Sequence, residues 1–177
     1  VLVTDNNGCS ATASATISQP TAMVLNASTT DVTCAGANNG SVDITIGGGV
    51  FPYNFQWSNS ATTEDLHNVA GGTYTVTITD ANGCTISQSY VISEPQPIVS
   101  SIVGTDVTCH GAANGAADLT VSGGTPSYAY AWSNFQATED LSGIGGGTYY
   151  VIITDAHGCT HRDSVIIAEP TAIVLSV

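Results

Sequence analysis

Five cysteines are the residues of this 177-residue chain with the greatest capacity for covalent chemistry. They are Cys9, Cys34, Cys84, Cys109 and Cys159. Along the sequence, a shorter interval between successive cysteines alternates with an interval twice as long. No Cys-x-x-Cys motif occurs, so the spacing does not favour a metal site. Regular pairs of cysteines in an acidic chain without lysine favour disulfides, formed in an oxidising compartment.

Three residues near the end of the chain have the types found in zinc sites. His157, Cys159 and His161 would lie on one side of an extended strand, within reach of one ion. The sequence contains an internal repeat, as described below, and the residue that matches His161 in the preceding copy is Ile86. Because this set does not recur, we expect no zinc there.

Calcium is the ion that the composition favours most, since oxygen ligands abound and lysine does not occur. Asp80 with Asn82, and Asp5 with Asn7, could supply such ligands in a turn. Hydrogen bonds from the turn backbone to the same side chains explain the pattern equally well. We therefore expect no cofactor, with calcium as the alternative.

Adjacent carboxylates occur at Glu64–Asp65 and again at Glu139–Asp140. Neighbours along a strand point to opposite faces, so these pairs predict a solvated turn rather than an acid–base couple. The sequence has no Gly-x-Ser-x-Gly motif and no glycine run followed by a helical pattern. We expect no catalytic residue, and the protein is not predicted to be an enzyme.

An internal repeat sets the elements that position these side chains. Asp31-Val-Thr-Cys34 recurs as Asp106-Val-Thr-Cys109, and the same shift carries Trp57 to Trp132. A fixed period of this kind is typical of tandem arrays, so we expect the chain to be part of a longer one. The predicted organisation is the C-terminal part of one repeat at 1–20, complete repeats at 21–95 and 96–170, and the start of another at 171–177.

Apolar and polar residues alternate with a period of two in both copies, which predicts β-strands. Turn signals such as Asn39-Gly40 separate these runs. The predicted fold class is all-β, with tandem immunoglobulin-like β-sandwich repeats of about 75 residues. Core positions are expected for a tryptophan on each third strand and for a tyrosine that opens each penultimate strand: Trp57, Trp132, Tyr74 and Tyr149.

Several segments resemble the SprB-type repeat of bacterial gliding adhesins and related giant exported proteins. They are Asp31 to Gly40, Trp57 to Asn59, Gly72 to Cys84 and Gly123 to Tyr128, and the likeness extends over nearly the whole chain. The resemblance implies an extracellular or cell-surface array, exported by a dedicated secretion system, and it supplies no catalytic residue.

Glycans are a further expectation for such a surface protein. Asn26 and Asn39 each open an Asn-x-Ser acceptor pattern, although neither pattern is matched in the other copy. Asp163-Ser164-Val165 resembles an O-glycosylation motif of the same group of bacteria, which makes Ser164 a candidate.

The predicted sandwiches leave two disulfide pairings open. The simpler one joins Cys34 to Cys84 and Cys109 to Cys159 within repeats, while Cys9 pairs with a cysteine outside these 177 residues, earlier in the array. The alternative joins Cys34 to Cys159, because the first loop of one sandwich faces the last hairpin of the next in a head-to-tail array. A bridge needs Cα atoms within about 7 Å, so the arrangement of the domains decides between the two.

The charge of the chain excludes several classes of partner. Fourteen acidic residues stand against one basic residue, Arg162, which gives a net charge of −13 at pH 7. Nucleic acid is excluded because phosphate contacts need Lys and Arg, and an anionic membrane surface would repel the chain. No apolar run is long enough to insert directly into a membrane.

These observations predict an extracellular structural protein, the tandem-repeat shaft of a surface fibre or adhesin. Its partners would be copies of itself in a filament or adjacent repeats of the same chain. One alternative is a module that binds a polysaccharide or a surface through the loops Gly47 to Tyr53 and Gly123 to Tyr128. The other is a passive spacer in a large secreted protein.

Overall fold

Two β-sandwiches follow one another in the computed structural model, which describes residues 1–175. This part of the chain contains fourteen β-strands and no α-helix, and hence no helix that could cross a membrane. A hairpin comes first, made of β1 (Leu2–Thr4) and β2 (Ser10–Thr12). The first sandwich comprises β3 (Val24–Thr30), β4 (Gly40–Gly47), β5 (Asn54–Trp57), β6 (Leu66–Val69), β7 (Gly72–Thr79) and β8 (Thr85–Ile92). The second comprises β9 (Val99–Thr105), β10 (Gly115–Ser122), β11 (Ala129–Trp132), β12 (Leu141–Ile144), β13 (Gly147–Thr154) and β14 (Thr160–Ile167).

Each sandwich consists of two three-stranded antiparallel sheets. In the first sandwich the strand orders are β3-β4-β6 and β5-β7-β8, and in the second they are β9-β10-β12 and β11-β13-β14. Every strand of the second sandwich begins and ends at the positions that match its counterpart in the first, one sequence repeat later. The all-β, immunoglobulin-like fold predicted from the sequence is confirmed.

The period-two alternation places one set of side chains between the two sheets of each sandwich. Along β4, Val42 and Ile44 are buried while Asp43 between them is exposed, and β7 buries Val76 and Ile78 in the same way. Burial of such branched residues on facing sheets supplies most of the favourable free energy of a small domain. Equivalent residues form the second core: Ala117, Leu119, Val151 and Ile153.

Trp57 ends the third strand of the first sandwich and is 1% exposed at the centre of its core. Its indole Nε1–H donates to the carbonyl of Thr63 at 2.9 Å. A buried N–H without a partner would cost roughly 1–3 kcal/mol, so this bond allows the ring to be fully enclosed. Trp132 repeats the arrangement, with its Nε1–H donating to the carbonyl of Thr138 at 3.0 Å.

Tyr74 lies on the penultimate strand and is half-buried against the same core. Its hydroxyl donates to the carbonyl of Ala70, four residues earlier, at 3.1 Å. Tyr149 donates likewise to the carbonyl of Gly145 at 3.0 Å. These are tyrosine corners, which fix the chain where it turns from one sheet to the other.

Candidate functional site: the junction between the sandwiches

A disulfide joins the two sandwiches. Cys34 lies in the first loop of the first sandwich, between β3 and β4, and Cys159 ends the last turn of the second, just before β14. The bond spans 125 residues of sequence, and the two Cα atoms lie 5.6 Å apart, within the usual range for a disulfide. The junction is therefore covalent as well as packed.

The pairing within repeats, Cys34 to Cys84 and Cys109 to Cys159, is wrong in this structure. Cys34 lies at the end of the first sandwich where β8 ends. Val32, two residues before it, donates its N–H to the carbonyl of Ser93, which directly follows β8. Cys84 lies before the start of β8, a strand long enough to separate the two ends by about 26 Å. A disulfide cannot cross that distance. Cys84, Cys109 and Cys9 are free and exposed.

Carboxylates hold the first loop of the first sandwich in place. Asp31 Oδ1 accepts from the backbone N–H of Ser93 at 2.7 Å, and Glu94 Oε1 accepts from the N–H of Gly36 at 2.5 Å. Within the loop, the Asn39 side chain accepts from Thr33 N–H and donates to Thr33 Oγ1. Cys34 thus sits between fixed points on both sides, so little conformational entropy remains to be lost when it is bridged.

A buried carboxylate organises the last turn of the second sandwich. Asp155 Oδ1 accepts from the N–H groups of His157 and Cys159, both at 2.9 Å, and Oδ2 accepts from Thr125 N–H at 2.8 Å. The bond from Thr125, with smaller contributions from the other two donors, holds the pKa of Asp155 below its usual value against the opposing effect of burial. The turn therefore presents Cys159 on a fixed backbone.

The linker between the sandwiches contributes the third side of the junction. Gly124 N–H donates to the carbonyl of Gln96 at 2.8 Å, and Ile98 enters the second core with 9% exposure. A cleft of about 400 Å³ remains beside the disulfide, lined by Ala35, Pro95 and His161 among others. The two sandwiches thus meet through a loop, a linker and a turn.

The residues considered for calcium have their carboxylates engaged by the backbone. Asp80 Oδ1 accepts from the N–H groups of Asn82 and Cys84, and Oδ2 accepts from Val50 N–H. Burial acts to raise the pKa of Asp80, but these backbone bonds outweigh it and hold the pKa below its usual value. Asp5 accepts from the N–H groups of Asn7 and Cys9 in the same pattern. Residues 1–175 contain no group of three or more His, Cys, Asp or Glu placed to hold a metal ion.

His157, Cys159 and the aspartate of each acidic pair also have structural partners. His157 Nδ1 lies 3.0 Å from Thr125 Oγ1, and Cys159 is committed to the disulfide. Asp65 Oδ1 accepts from the N–H of Ile44 at 2.9 Å, beyond the point where β6 stops pairing with β4. Its side chain therefore continues the hydrogen-bonded ladder, and Asp140 does the same for Leu119 N–H.

The candidate glycan acceptors differ in accessibility. Asn26 and Ser164 are exposed on β3 and β14. Asn39 is exposed too, but its amide is used to brace the first loop, so a glycan there would break that contact. In the loops considered for polysaccharide binding, the Tyr53 hydroxyl donates to the carbonyl of Gly48 and that of Tyr128 to Gly123. Both rings pack against the cores.

Sequence reasoning missed the loop-bracing carboxylates. Asp31 and Glu94 recur as Asp106 and Glu169, which make the equivalent contacts to Ala168 N–H and Gly111 N–H. Their recurrence in both copies was the available signal. The backbone donors that they reach lie about 60 residues away in the sequence, at the opposite end of the repeat, and no local pattern identifies such partners.

Comparison with known proteins agrees with the repeat architecture. The family model described as the SprB repeat matches residues 26–62 and again residues 101–137. Two segments of the chain thus match the SprB repeat. The resemblance seen in the sequence is thereby confirmed, at the two places where the first loop, β4 and the core tryptophan of each sandwich lie. No curated protein matches the chain.

Solved structures with a similar fold include immunoglobulin domains and fibronectin(III)-like modules. The N-terminal eight Ig domains of Down Syndrome Cell Adhesion Molecule are 11% identical with a TM-score of 0.44, and the match covers 86% of this chain and 25% of that one. Fibronectin(III)-like modules of Clostridium thermocellum CbhA are 14% identical with a TM-score of 0.35, covering 82% of this chain and 94% of the other. Murine CEACAM1b is 14% identical with a TM-score of 0.32, covering 84% and 100%. At these values we draw no functional conclusion from them.

Proposed function

We propose that this chain is a tension-transmitting segment of an extracellular fibre or adhesin shaft, built from sandwiches joined end to end. The SprB repeats, the immunoglobulin-like fold and the disulfide fit an extracellular protein of the repeat or adhesin type. The proposal goes further in assigning the chain a mechanical role. It assigns no catalytic residue.

The observation that carries the proposal is the disulfide between Cys34 and Cys159. It lies where the β8 end of the first sandwich meets the β14 start of the second, so the bonded contact is end to end. A contact between unlike ends repeats head to tail, and it gives an open line when the rotation between successive copies does not close a ring. A covalent bond at such a contact supports a role in transmitting force.

The charge distribution supports the same function. A net charge of −13 makes separate shafts repel one another, which opposes lateral clumping. Lysine, the residue that most often protects exposed sheet edges, does not occur in the sequence. We infer that mutual repulsion, rather than protected edges, keeps neighbouring shafts apart.

Electron microscopy of the native protein tests the proposal. We expect straight, unbranched filaments or stalks whose axial repeat corresponds to one or two sandwich lengths. Small-angle scattering of the 177-residue chain provides a matched measurement, in which the oxidised protein is an extended rod and the reduced protein bends at the junction. Compact particles in both measurements would refute the proposal.

A further inference from the structure

Two of the free cysteines lie at the positions that are equivalent, in the other sandwich, to those of the bonded pair. Cys84 ends the last turn of the first sandwich, as Cys159 does in the second, and Cys109 lies in the first loop of the second sandwich, as Cys34 does in the first. Both free cysteines are exposed, whereas the bonded pair is half-buried. Each free thiol therefore has the location of a junction cysteine without its partner.

The surface around Cys84 reproduces one complete half of the observed junction. Asp80 holds the turn as Asp155 does, and Gly49 N–H donates to the carbonyl of Thr21 at 2.8 Å, as Gly124 N–H does to Gln96. A cleft of about 390 Å³ beside Cys84 is lined by Pro20, Thr85 and Ile86, which match residues lining the junction cleft. The half that Cys34 and Ala35 supply at the observed junction is the half missing here.

The surface around Cys109 reproduces the other half. Asp106 Oδ1 accepts from Ala168 N–H at 2.7 Å, the same contact and length that Asp31 makes with Ser93. Glu169 accepts from Gly111 N–H, as Glu94 does from Gly36. A cleft of about 460 Å³ at this end is lined by Cys109, Pro170 and Ile173 among others. The two open surfaces are thus opposite halves of one kind of junction.

We propose that Cys84 and Cys109 form disulfides with neighbouring sandwiches of the same polypeptide. Cys84 pairs with a first-loop cysteine of the preceding sandwich, and Cys109 pairs with a last-turn cysteine of the following one. The inference rests on the proposed tandem array and names the partner at each of its junctions.

The linker geometry selects the same polypeptide as the source of these partners. Segment 20–23 makes the contacts with the first sandwich that segment 95–98 makes with the second. The chain therefore enters the first sandwich along the same path by which it enters the second at the observed junction. The hairpin of β1 and β2 carries a third copy of the last turn, in which Asp5 accepts from Cys9 N–H. The sandwich that precedes this linker in the same polypeptide is therefore the one placed to meet Cys84.

Formation of each bond is a two-electron oxidation. Two thiols lose two protons and two electrons as the sulfur–sulfur bond forms. The electrons reduce the disulfide of a thiol–disulfide exchange enzyme of the export compartment to a dithiol, which also takes up the two protons. Exposure of Cys84 and Cys109 gives such an enzyme access before the neighbouring sandwich closes the junction.

An array bonded in this way contains two interleaved covalent paths. On each path a disulfide carries tension from the first loop of one sandwich to the last turn of the next. A short segment of polypeptide then leads from that last turn to the first loop of the sandwich after it, as from Cys84 to Cys109. That segment of about 25 residues extends to about 85 Å, whereas roughly 150 residues would extend to about 500 Å in an array without disulfides. The shaft can therefore lengthen little even where sandwiches unfold.

Disulfide mapping of the native protein tests the inference. Free thiols are alkylated first, and the unreduced protein is then cut at acidic residues, because a chain with one Lys or Arg gives trypsin no useful sites. Asp or Glu lies between all five cysteines, so each cysteine falls in its own peptide. The Cys34–Cys159 crosslink serves as the internal control.

We expect no alkylation of Cys84 or Cys109 before reduction. The Cys84 peptide should be linked to a peptide with a first-loop cysteine, and the Cys109 peptide to one with a Gly-Cys last turn. On gels without reductant, the native chain should give no band larger than the reduced single chain. Alkylated thiols at both positions would overturn the inference, as would chain multimers that reductant dissolves, since these mean bonding between copies. If filaments are seen by microscopy while both thiols are alkylated, only this inference fails and the proposed function stands.

Discussion

Cys34 and Cys159 are separated by 125 residues of sequence, yet their Cα atoms lie 5.6 Å apart across the junction. A pull on the two ends of the chain therefore passes through the sulfur–sulfur bond. Residues 35–158, which include most of both sandwiches, lie in a closed loop that bears no end-to-end tension. The bond thus keeps the strands between the two cysteines, β4 to β13, out of the path of the applied force.

Single-molecule stretching should reveal this protection directly. When the oxidised chain is pulled from its ends, we expect only the segments outside the bonded loop to lengthen. Reduction should release the loop and add about 430 Å of contour length, since 125 residues at full extension span that distance. Each molecule is its own control when reductant is added during the measurement. Equal extension before and after reduction would contradict the bonded path.

Removal of the bond should also lower thermodynamic stability. For Cys34→Ser we expect a loss of about 3–5 kcal/mol in the free energy of unfolding of the linked pair of sandwiches, because closing a loop of 125 residues restricts the unfolded chain. Urea denaturation followed by tryptophan fluorescence reports on both cores through Trp57 and Trp132. With reductant present, the variant and the parent should unfold at the same urea concentration. A difference that persists under reduction would assign the effect to the loop rather than to the bond.

Much of the fold is predictable because its determinants are local. Alternation along Val42, Ile44 and Ile46 predicts a strand with one buried face, and the structure has that strand at Gly40–Gly47. Recurrence of Trp57 as Trp132 predicts two equivalent cores, and both tryptophans are almost fully enclosed. These patterns depend on neighbours in sequence, so no knowledge of the tertiary structure is needed to read them.

The disulfide and its supporting carboxylates were harder to predict because they depend on how sandwich ends meet. Spacing alone fits Cys34 with Cys84 as well as Cys34 with Cys159, and only the placement of the ends decides. Asp31 and Glu94 read as ordinary loop and linker acids, since their backbone partners come from the opposite end of the repeat. The sequence shows which residues carry the carboxylates but not which backbone N–H groups donate to them.

The turn carboxylates should make stability sensitive to acid. Hydrogen bonds from the backbone hold the pKa of Asp80 and of Asp155 below the ordinary value of 3.8. A depressed folded-state pKa contributes stability that is present above the unfolded-state value and is lost as the pH falls through the folded-state value. We therefore expect the thermal midpoint to drop below about pH 5 and to keep dropping toward pH 2.

In a double variant, Asp80→Asn with Asp155→Asn, the thermal midpoint should fall less steeply as the pH is lowered. The same variant should unfold at a lower temperature at neutral pH. The amide keeps the shape of the side chain but replaces an acceptor oxygen with a donor that faces backbone N–H groups. Asp43→Asn with Asp118→Asn is the matched control, because both of these aspartates are exposed at equivalent strand positions. If the thermal midpoint falls equally steeply at low pH in the two double variants, the turn carboxylates are excluded as the cause of the acid sensitivity.

The tyrosine corner can be tested with two neighbouring residues. Tyr149→Phe removes the hydroxyl that donates to the Gly145 carbonyl, and we expect a loss of about 0.5–1.5 kcal/mol, the usual net value of one hydrogen bond. Tyr150→Phe is the control, since that side chain is 60% exposed on the same strand. Chemical denaturation of the reduced protein isolates the effect on the second sandwich. Similar losses in both variants would mean that the hydroxyl of Tyr149 has no special role.

Two glycines at opposite ends of β4 test how closely the sheets approach each other. A Cβ at Gly40 would lie 2.8 Å from Ile92 Cγ2 and 2.9 Å from the carbonyl oxygen of Val69. Ile92 is 2% exposed in the core and has little room to shift, so Gly40→Ala should destabilise the first sandwich by about 1–3 kcal/mol. A Cβ at Gly47 meets nothing within 4 Å, and Gly47→Ala should change stability by less than about 0.5 kcal/mol. Denaturation of both variants measures the difference, and equal effects would show that Gly40 is not required for the packing of β4 against β8.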